Sequence, residues 1–114
     1  MKKLKRGRHA PAFVLLIIAQ KPAYGLEILS KLNEGIAENN LDTAVIYRSL
    51  KSLEADGRVA SEWVESESGA PKKVYHITES GLELLDKYSS DIEISIKHLN
   101  YFMEMYRELR GRGK

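Results

Sequence analysis

Residues 41–57 read LDTAVIYRSLKSLEADG, and the rest of the chain is organised around this stretch. Asp42 can accept hydrogen bonds from the free N–H groups at a helix start, and Gly57 can adopt the left-handed turn that ends a helix. Apolar residues recur between these ends at helical spacing, namely Ile46, Leu50 and Leu53. The stretch therefore predicts one amphipathic helix whose apolar side packs against the rest of the domain.

The opposite side of this helix has the composition of a DNA-reading surface. A helix in the major groove needs small residues for close approach, partners for phosphates and donors for base edges. The residues predicted to contact DNA are Thr43, Ala44, Tyr47, Arg48 and Lys51. Arg48 and Lys51 are the predicted donors to base edges or phosphates, whereas Thr43 and Tyr47 would contact the backbone. A plain surface helix is the alternative, and Tyr47 could instead be a packing residue beside the apolar stripe.

The composition is that of an ordinary soluble domain. The chain has 114 residues, of which 43% are hydrophobic and 30% are charged, so we expect one domain with at most an appended element. The longest apolar run covers residues 12–19, too short to span a membrane, and no signal peptide is convincing. Cysteine is absent, which excludes disulfides and thiolate metal sites and predicts a reducing cytoplasm.

The positive charge of the chain is concentrated at its start. Residues 1–8 hold five cations and no acid, so the other 106 residues carry thirteen cations against sixteen acids. Such a segment predicts a basic arm over residues 1–9 that touches an anionic partner, with Lys5, Arg6 and Arg8 as DNA contacts. A solvated tail is the alternative.

Two further helices are predicted before the opening stretch. Residues 11–20 are apolar almost all round, with Pro11 suited to a first helical turn, so this helix should be covered on more than one side. Residues 24–34 carry an amphipathic pattern and precede a polar connector, which gives helix-turn-helix proportions.

A hairpin is predicted after Gly57. Residues 59–65 and 73–77 have strand character, and residues 66–71 consist of turn-forming residue types. Lys72 and Lys73 follow the tip and are predicted to contact DNA phosphates, although solubilising turn charges are the alternative. Trp63 is predicted to pack on the inner face of the hairpin rather than to stack on a partner.

One long helix should complete the chain. Thr78 is a good N-cap, residues 79–110 keep helical spacing, and Gly111 and Gly113 are predicted to end it. At about 48 Å it would project beyond the rest of the domain. Its apolar seam predicts a homodimer interface. The seam residues are Tyr88, Ile92, Ile96, Leu99, Met103 and Tyr106.

These elements predict a mainly α fold with a small β-hairpin, a winged helix-turn-helix followed by one long C-terminal helix. The domain boundaries would be 1–9 for the arm, 10–78 for the winged helix and 79–110 for the dimerisation helix. Nothing indicates an enzyme, a cofactor or a metal site, since His9, His76 and His98 have no ligand spacing with one another or with a carboxylate pair.

The sequence also resembles the PadR family of bacterial and archaeal transcriptional regulators. The resemblance is carried by five segments in order, residues 24–28, 43–57, 61–63, 69–75 and 77–81. The single long helix after the wing resembles that of the small subfamily, in which this helix builds a homodimer. The resemblance implies a homodimeric repressor on a palindromic operator in double-stranded DNA, relieved in many members by a small aromatic ligand at the dimer interface.

An effector pocket at the dimer axis is a further hypothesis. The apolar first helix and the aromatic residues of the last helix could form an apolar site at the dimer axis, and the residues proposed for it are Phe13, Ile17, Tyr101 and Phe102. The simpler alternative, that these aromatics close the dimer core, is favoured because the last helix lacks the tryptophan that stacks ligands in drug-binding relatives. The competing function is a winged-helix protein–protein module that does not read DNA sequence.

Overall fold

The computed structural model describes residues 9–35 and 42–112, which form four helices and a small sheet. The elements in chain order are α1 (Ala10–Gln20), β1 (Ala23–Tyr24), α2 (Gly25–Gly35), α3 (Thr43–Ala55), β2 (Val59–Val64), β3 (Lys72–Ile77) and α4 (Glu79–Arg112). The predicted class, a winged helix-turn-helix with a long C-terminal helix, is confirmed. The connector before α3 and residues 1–8 of the basic arm lie outside the described residues.

The three N-terminal helices enclose the core because each turns its apolar residues towards the same centre. Leu15 of α1, Ile28 of α2 and Ile46 and Leu50 of α3 are all fully buried there. Val59 and Tyr75 close this core from the sheet. The stripe predicted for α3 is therefore the side of that helix that the domain buries.

The sheet has one strand more than the sequence predicted. Its antiparallel order is β1-β3-β2, with Ala23 opposite Tyr75 and Val59 opposite Ile77. The sequence pattern predicts that residue 24 belongs to the second helix, but it pairs with β3 before α2 begins. A two-residue strand has too little sequence to show an alternating pattern, and only its pairing with β3 defines it.

The last helix is capped as predicted but ends later. The Gly81 N–H donates to the Thr78 hydroxyl at 3.1 Å, and the helix then runs through Gly111 to Arg112. The predicted stop at Gly111 is wrong because glycine permits a left-handed turn without requiring it, at a cost of only about 1 kcal/mol inside a helix. The described residues extend over 64 Å in their longest direction, so α4 projects beyond the core as expected.

Candidate nucleic-acid interface

Helix α3 presents the predicted contact residues together on one exposed face. Burial of Ile46, Leu50 and Leu53 fixes the rotation of the helix about its axis. The residues left exposed opposite them include Thr43, Ala44, Tyr47, Arg48 and Lys51. The structure thus gathers the α3 part of the predicted site into a single surface with two cations.

The start of α3 is held by its cap. Asp42 has extended backbone and accepts a hydrogen bond from the Val45 N–H at 3.0 Å through its side chain. Its carbonyl oxygen also accepts from the Ile46 N–H at 3.3 Å. Because both bonds fix the first turn, Thr43 and Ala44 are presented on an ordered helix end.

Tyr47 lies across the start of α2. A Cβ added at Gly25 would come within 2.6 Å of the Tyr47 ring, so a side chain at this position would push the ring from its present place. Tyr47 nevertheless remains 43% exposed. It is therefore both a packing residue against Gly25 and a side chain available to a partner, which combines the two alternatives raised by the sequence.

The two wing lysines have different surroundings. The Lys72 ammonium lies 4.1 Å from the centre of the Tyr24 ring, a cation–π contact that leaves its hydrogen-bond donors free for an anion. The Lys73 ammonium lies 3.4 Å from a carboxylate oxygen of Glu54. Lys72 is the freer of the two for a phosphate, since Lys73 already shares its charge with an acid on α3.

Glu54 connects α3 to both strands of the wing. It accepts a hydrogen bond from the Ser61 hydroxyl at 2.5 Å and pairs with Lys73. The Ser61 hydrogen bond, followed by the lysine, lowers the pKa of the Glu54 carboxyl. The electrostatic interaction with Tyr75, followed by the Glu54 carboxylate, raises the pKa of Lys73. These contacts link the wing to the last turns of α3.

A groove of about 400 Å³ separates the wing from α2 and α3. Its walls combine aromatic rings with both wing lysines, and the lining residues are Tyr24, Gly25, Leu26, Tyr47, Trp63, Pro71, Lys72, Lys73 and Tyr75. Aromatic faces and ammonium groups in one groove suit a nucleic-acid backbone that passes between helix and wing. Tyr24 and Gly25 line this groove but are not among the predicted contact residues, because their place at the predicted start of a helix gives no sign of it.

Trp63 does not pack as predicted. It shares the face of β2 that carries Val59 but remains 69% exposed on the wall of this groove. The reason is its position near the hairpin tip, where the strands have passed beyond the core that covers Val59 and Tyr75. Trp63 is therefore available to a partner.

The seam predicted on α4 divides into a covered and an open part. Tyr88 and Ile92 are half-buried. The remaining seam residues are exposed, namely Ile96, Leu99, Met103 and Tyr106. The covered part borders a groove of about 410 Å³ between α1 and α4, lined mainly by apolar atoms. Gly81 is the only residue of α4 that the chain fully buries.

The predicted effector residues are not brought together within one chain. Phe13 lines the groove between α1 and α4, and Ile17 packs against the core. Tyr101 and Phe102 are 66% and 62% exposed further along α4 and do not line that groove. A shared pocket would need a second chain. Lys5, Arg6 and Arg8 lie outside the described residues.

The described ranges 9–35 and 42–112 were also compared with the geometry of metal sites and of membrane-spanning helices. No group of three His, Asp or Glu side chains there is arranged to hold a metal ion. None of the helices in that part of the chain has the length and apolar content of a membrane span.

Comparison with known proteins identifies relatives of this fold. The sequence profile of the transcriptional regulator PadR-like family matches residues 14–87. Comparison with curated proteins gave no match.

Several solved structures share the fold. A PadR-like transcriptional regulator from Bacillus cereus is 26% identical, with a TM-score of 0.72 over 83% of this chain and 91% of its own. A PadR family transcription regulator from Clostridium difficile is 24% identical, with a TM-score of 0.74 over 83% of this chain and 98% of its own. A protein from Streptococcus mutans is 21% identical, with a TM-score of 0.77 over 91% of this chain and 94% of its own.

Proposed function

This chain belongs to the PadR-like family of transcriptional regulators, not to a family of enzymes, and we propose that it is a homodimeric, sequence-specific DNA-binding repressor. It would bind a palindromic operator in double-stranded DNA with one α3 helix in each of two major-groove sites. The cysteine-free composition suits action in a reducing cytoplasm.

The exposed face of α3 carries the proposal. Arg48 and Lys51 lie on it beside the small residues Thr43 and Ala44, and the buried stripe prevents the helix from turning them away. The Arg48 guanidinium can donate two parallel hydrogen bonds to a guanine edge, whereas the Lys51 ammonium suits a phosphate or a single acceptor.

The groove between α3 and the wing supports backbone binding. Lys72 lies at its wall with its donors free, and Tyr24 and Tyr47 offer hydroxyl groups in the same groove. Phosphate contacts of this kind would position the protein without reading sequence. The basic arm with Lys5, Arg6 and Arg8 would add charge and steepen the salt dependence of binding.

A second copy of the chain is the proposed cover for α4. The open part of the seam leaves Ile96 and Leu99 50% and 64% exposed, a large apolar surface for a monomer. Pairing of two such helices about a two-fold axis would place the α3 helices about 34 Å apart, the distance between half-sites one DNA turn apart.

We extend the proposal to an effector at the groove between α1 and α4. Its volume of about 410 Å³ and apolar walls around Phe13 suit a small flat aromatic molecule, especially once a second chain supplies Tyr101 or Phe102. Such a molecule would release DNA by favouring a dimer with a different spacing of its α3 helices. Operator affinity that stays constant across a panel of planar aromatic compounds would contradict this part.

The test begins with the DNA directly upstream of the chain's own gene. Binding to that duplex and to a random duplex is followed by fluorescence anisotropy at several salt concentrations. Arg48→Ala should weaken operator binding by about 1–3 kcal/mol and relax the preference at one base pair. Lys51→Ala should weaken it as well, whereas Lys87→Ala, an exposed lysine of α4, is the control and should have no effect.

Two results would contradict the proposal. Operator affinity unchanged in both Arg48→Ala and Lys51→Ala would remove α3 from the interface. Failure of the wild-type chain to bind any duplex at low salt would favour the protein–protein module, for which Trp63 and the groove beside it would be the docking surface.

A further inference from the structure

The end of α3 and the start of α4 are tied together by hydrogen bonds through Thr78. Its hydroxyl donates to the carbonyl oxygen of Gly57 at 2.7 Å and lies 3.0 Å from that of Arg58. Its N–H donates to the Arg58 carbonyl oxygen at 3.1 Å. The same hydroxyl accepts the Gly81 N–H and so caps α4. One side chain therefore joins the segment that leaves α3 to the first turn of α4.

Arg58 forms a second set of hydrogen bonds between the end of α3 and the start of α4. Its guanidinium donates to the carbonyl oxygen and to the hydroxyl of Ser80, both at 3.1 Å. Gly57 makes this arrangement possible because it adopts a φ of 75°, which turns the chain sharply out of α3. The bonds made by Thr78, Arg58 and Ser80 define what we call the α3–α4 joint.

Gly81 makes the α3–α4 joint close-fitting. A Cβ added there would lie 2.0 Å from the Arg58 carbonyl oxygen and 2.6 Å from a side-chain carbon of Ile77. The first of these is a backbone atom held by the bonds of Thr78, so it cannot turn aside as a flexible side chain could. Gly81 is required by this close approach, since its own φ is not positive.

A small change at the α3–α4 joint would be amplified along α4. Residue 96, in the middle of the exposed seam, stands about 22 Å along the helix from Gly81. A tilt of about 10° at Gly81 would move that seam by about 4 Å relative to α3, at a rise of about 1.5 Å per residue. In a dimer held by the seam, the same tilt would change the distance between the two α3 helices.

We propose that Thr78 and Gly81 are positioning residues that fix the direction of α4 relative to α3 and so determine which half-site spacing the dimer reads. This inference rests on the proposed function, because it needs a dimer on a two-fold operator. The preferred half-site spacing would then depend on residues remote from the DNA-facing side chains of α3. Those side chains would read the bases.

The first measurement needs neither DNA nor a dimer. The chain has no cysteine, so exposed Ser52 on α3 and Asn100 on α4 can be replaced by cysteine and spin-labelled. Labelled chains are diluted with unlabelled ones, and the distance between the two labels of one chain is measured by pulsed electron paramagnetic resonance. We expect a narrow distribution of label distances for the doubly labelled chain without further substitutions. After Gly81→Ala we expect a shifted or broadened distribution.

Two companion variants make this measurement decisive. Thr78→Val keeps the shape of the side chain but removes the hydroxyl, so it should broaden the same distribution even if Gly81→Ala fails to fold. Gly111→Ala is the matched control in the same helix, because a Cβ there would meet no neighbouring part of the chain within 4 Å. It should leave the distances unchanged.

The second measurement uses palindromic duplexes whose half-site spacing is varied by one base pair at a time. We expect Thr78→Val and Gly81→Ala to lose about tenfold affinity at the spacing that the wild type prefers, or to move that preference, while binding an isolated half-site as before. A wild type without any spacing preference would overturn the proposed function. Label distances and spacing profiles that both variants leave unchanged would overturn the role of the α3–α4 joint.

Discussion

The winged domain, residues 10–78, and the distal part of α4, residues 94–112, use their apolar residues in opposite ways. The winged domain buries Leu15, Ile28 and Leu50 completely, with the first turns of α4 packed against the same core. The distal part of α4 exposes nearly every large apolar side chain, with Leu99 at 64% and Phe102 at 62%. Apolar surface of this extent stabilises the protein only when another surface covers it and removes it from water.

Because of this difference, the stability of the two regions should depend differently on protein concentration. The winged domain should unfold with a free energy that does not depend on protein concentration, because its core is complete within one chain. The distal part of α4 should gain order from association, so its contribution should grow with concentration. The following variants test that separation, from the largest expected effect to the smallest.

Leu50→Ala should have the largest effect. Leu50 is fully buried, and removal of a buried leucine side chain leaves a cavity that costs about 2–5 kcal/mol of unfolding free energy. Urea denaturation at two protein concentrations should give the same loss at each. Leu99→Ala is the matched control, because it removes the same atoms from an exposed site and should matter only where chains associate. A loss below about 1 kcal/mol for Leu50→Ala would contradict the assignment of the core.

Ile96→Glu should break the association without unfolding the winged domain. It places an unpaired charge in the proposed dimer seam, where burial costs several kcal/mol, so the dimer dissociation constant should rise about 100-fold or more. Sedimentation velocity over a concentration series measures this change.

Ile94→Glu is the control for that experiment. Ile94 and Ile96 are 53% and 50% exposed, but they lie about 200° apart on the helix. Equal dissociation of both variants would show that association does not use one seam. A wild-type chain that is monomeric at micromolar concentration would contradict the dimer itself.

Glu54→Gln should have the smallest effect, visible mainly as a change in pH dependence. Because the Ser61 hydrogen bond and then Lys73 lower the pKa of Glu54 in the folded chain, its stabilisation is present above the ordinary glutamate pKa and is lost as pH falls through the folded value. The melting temperature of the wild type should exceed that of the variant at pH 7, and the difference should shrink below about pH 4. Ser61→Ala should reproduce part of this loss. A difference that stays constant with pH would contradict the role of the carboxylate.

Much of the fold follows from local sequence signals. Asp42 and Thr78 cap their helices as predicted, and Gly57 adopts the left-handed turn expected of it. The stripe of Ile46, Leu50 and Leu53 also indicated which side of α3 would be exposed, and with it the face of the candidate site. Such signals are readable because a cap or a helical stripe depends on residues only a few positions apart.

Contacts between distant segments were decided by the tertiary structure alone. Gly25 and Gly81 look like ordinary glycines in the sequence, yet each admits a close neighbour from elsewhere in the chain. Trp63 has the composition of a core residue, but its distance from the helices leaves it exposed. Glu54 meets Ser61 and Lys73 only because β2 and β3 fold back beside α3. The sequence by itself determined the helices, their exposed faces and the charges they carry. Which side chains meet across the wing, the groove and the α3–α4 joint depends on how the finished elements pack, because close packing leaves room for only one arrangement.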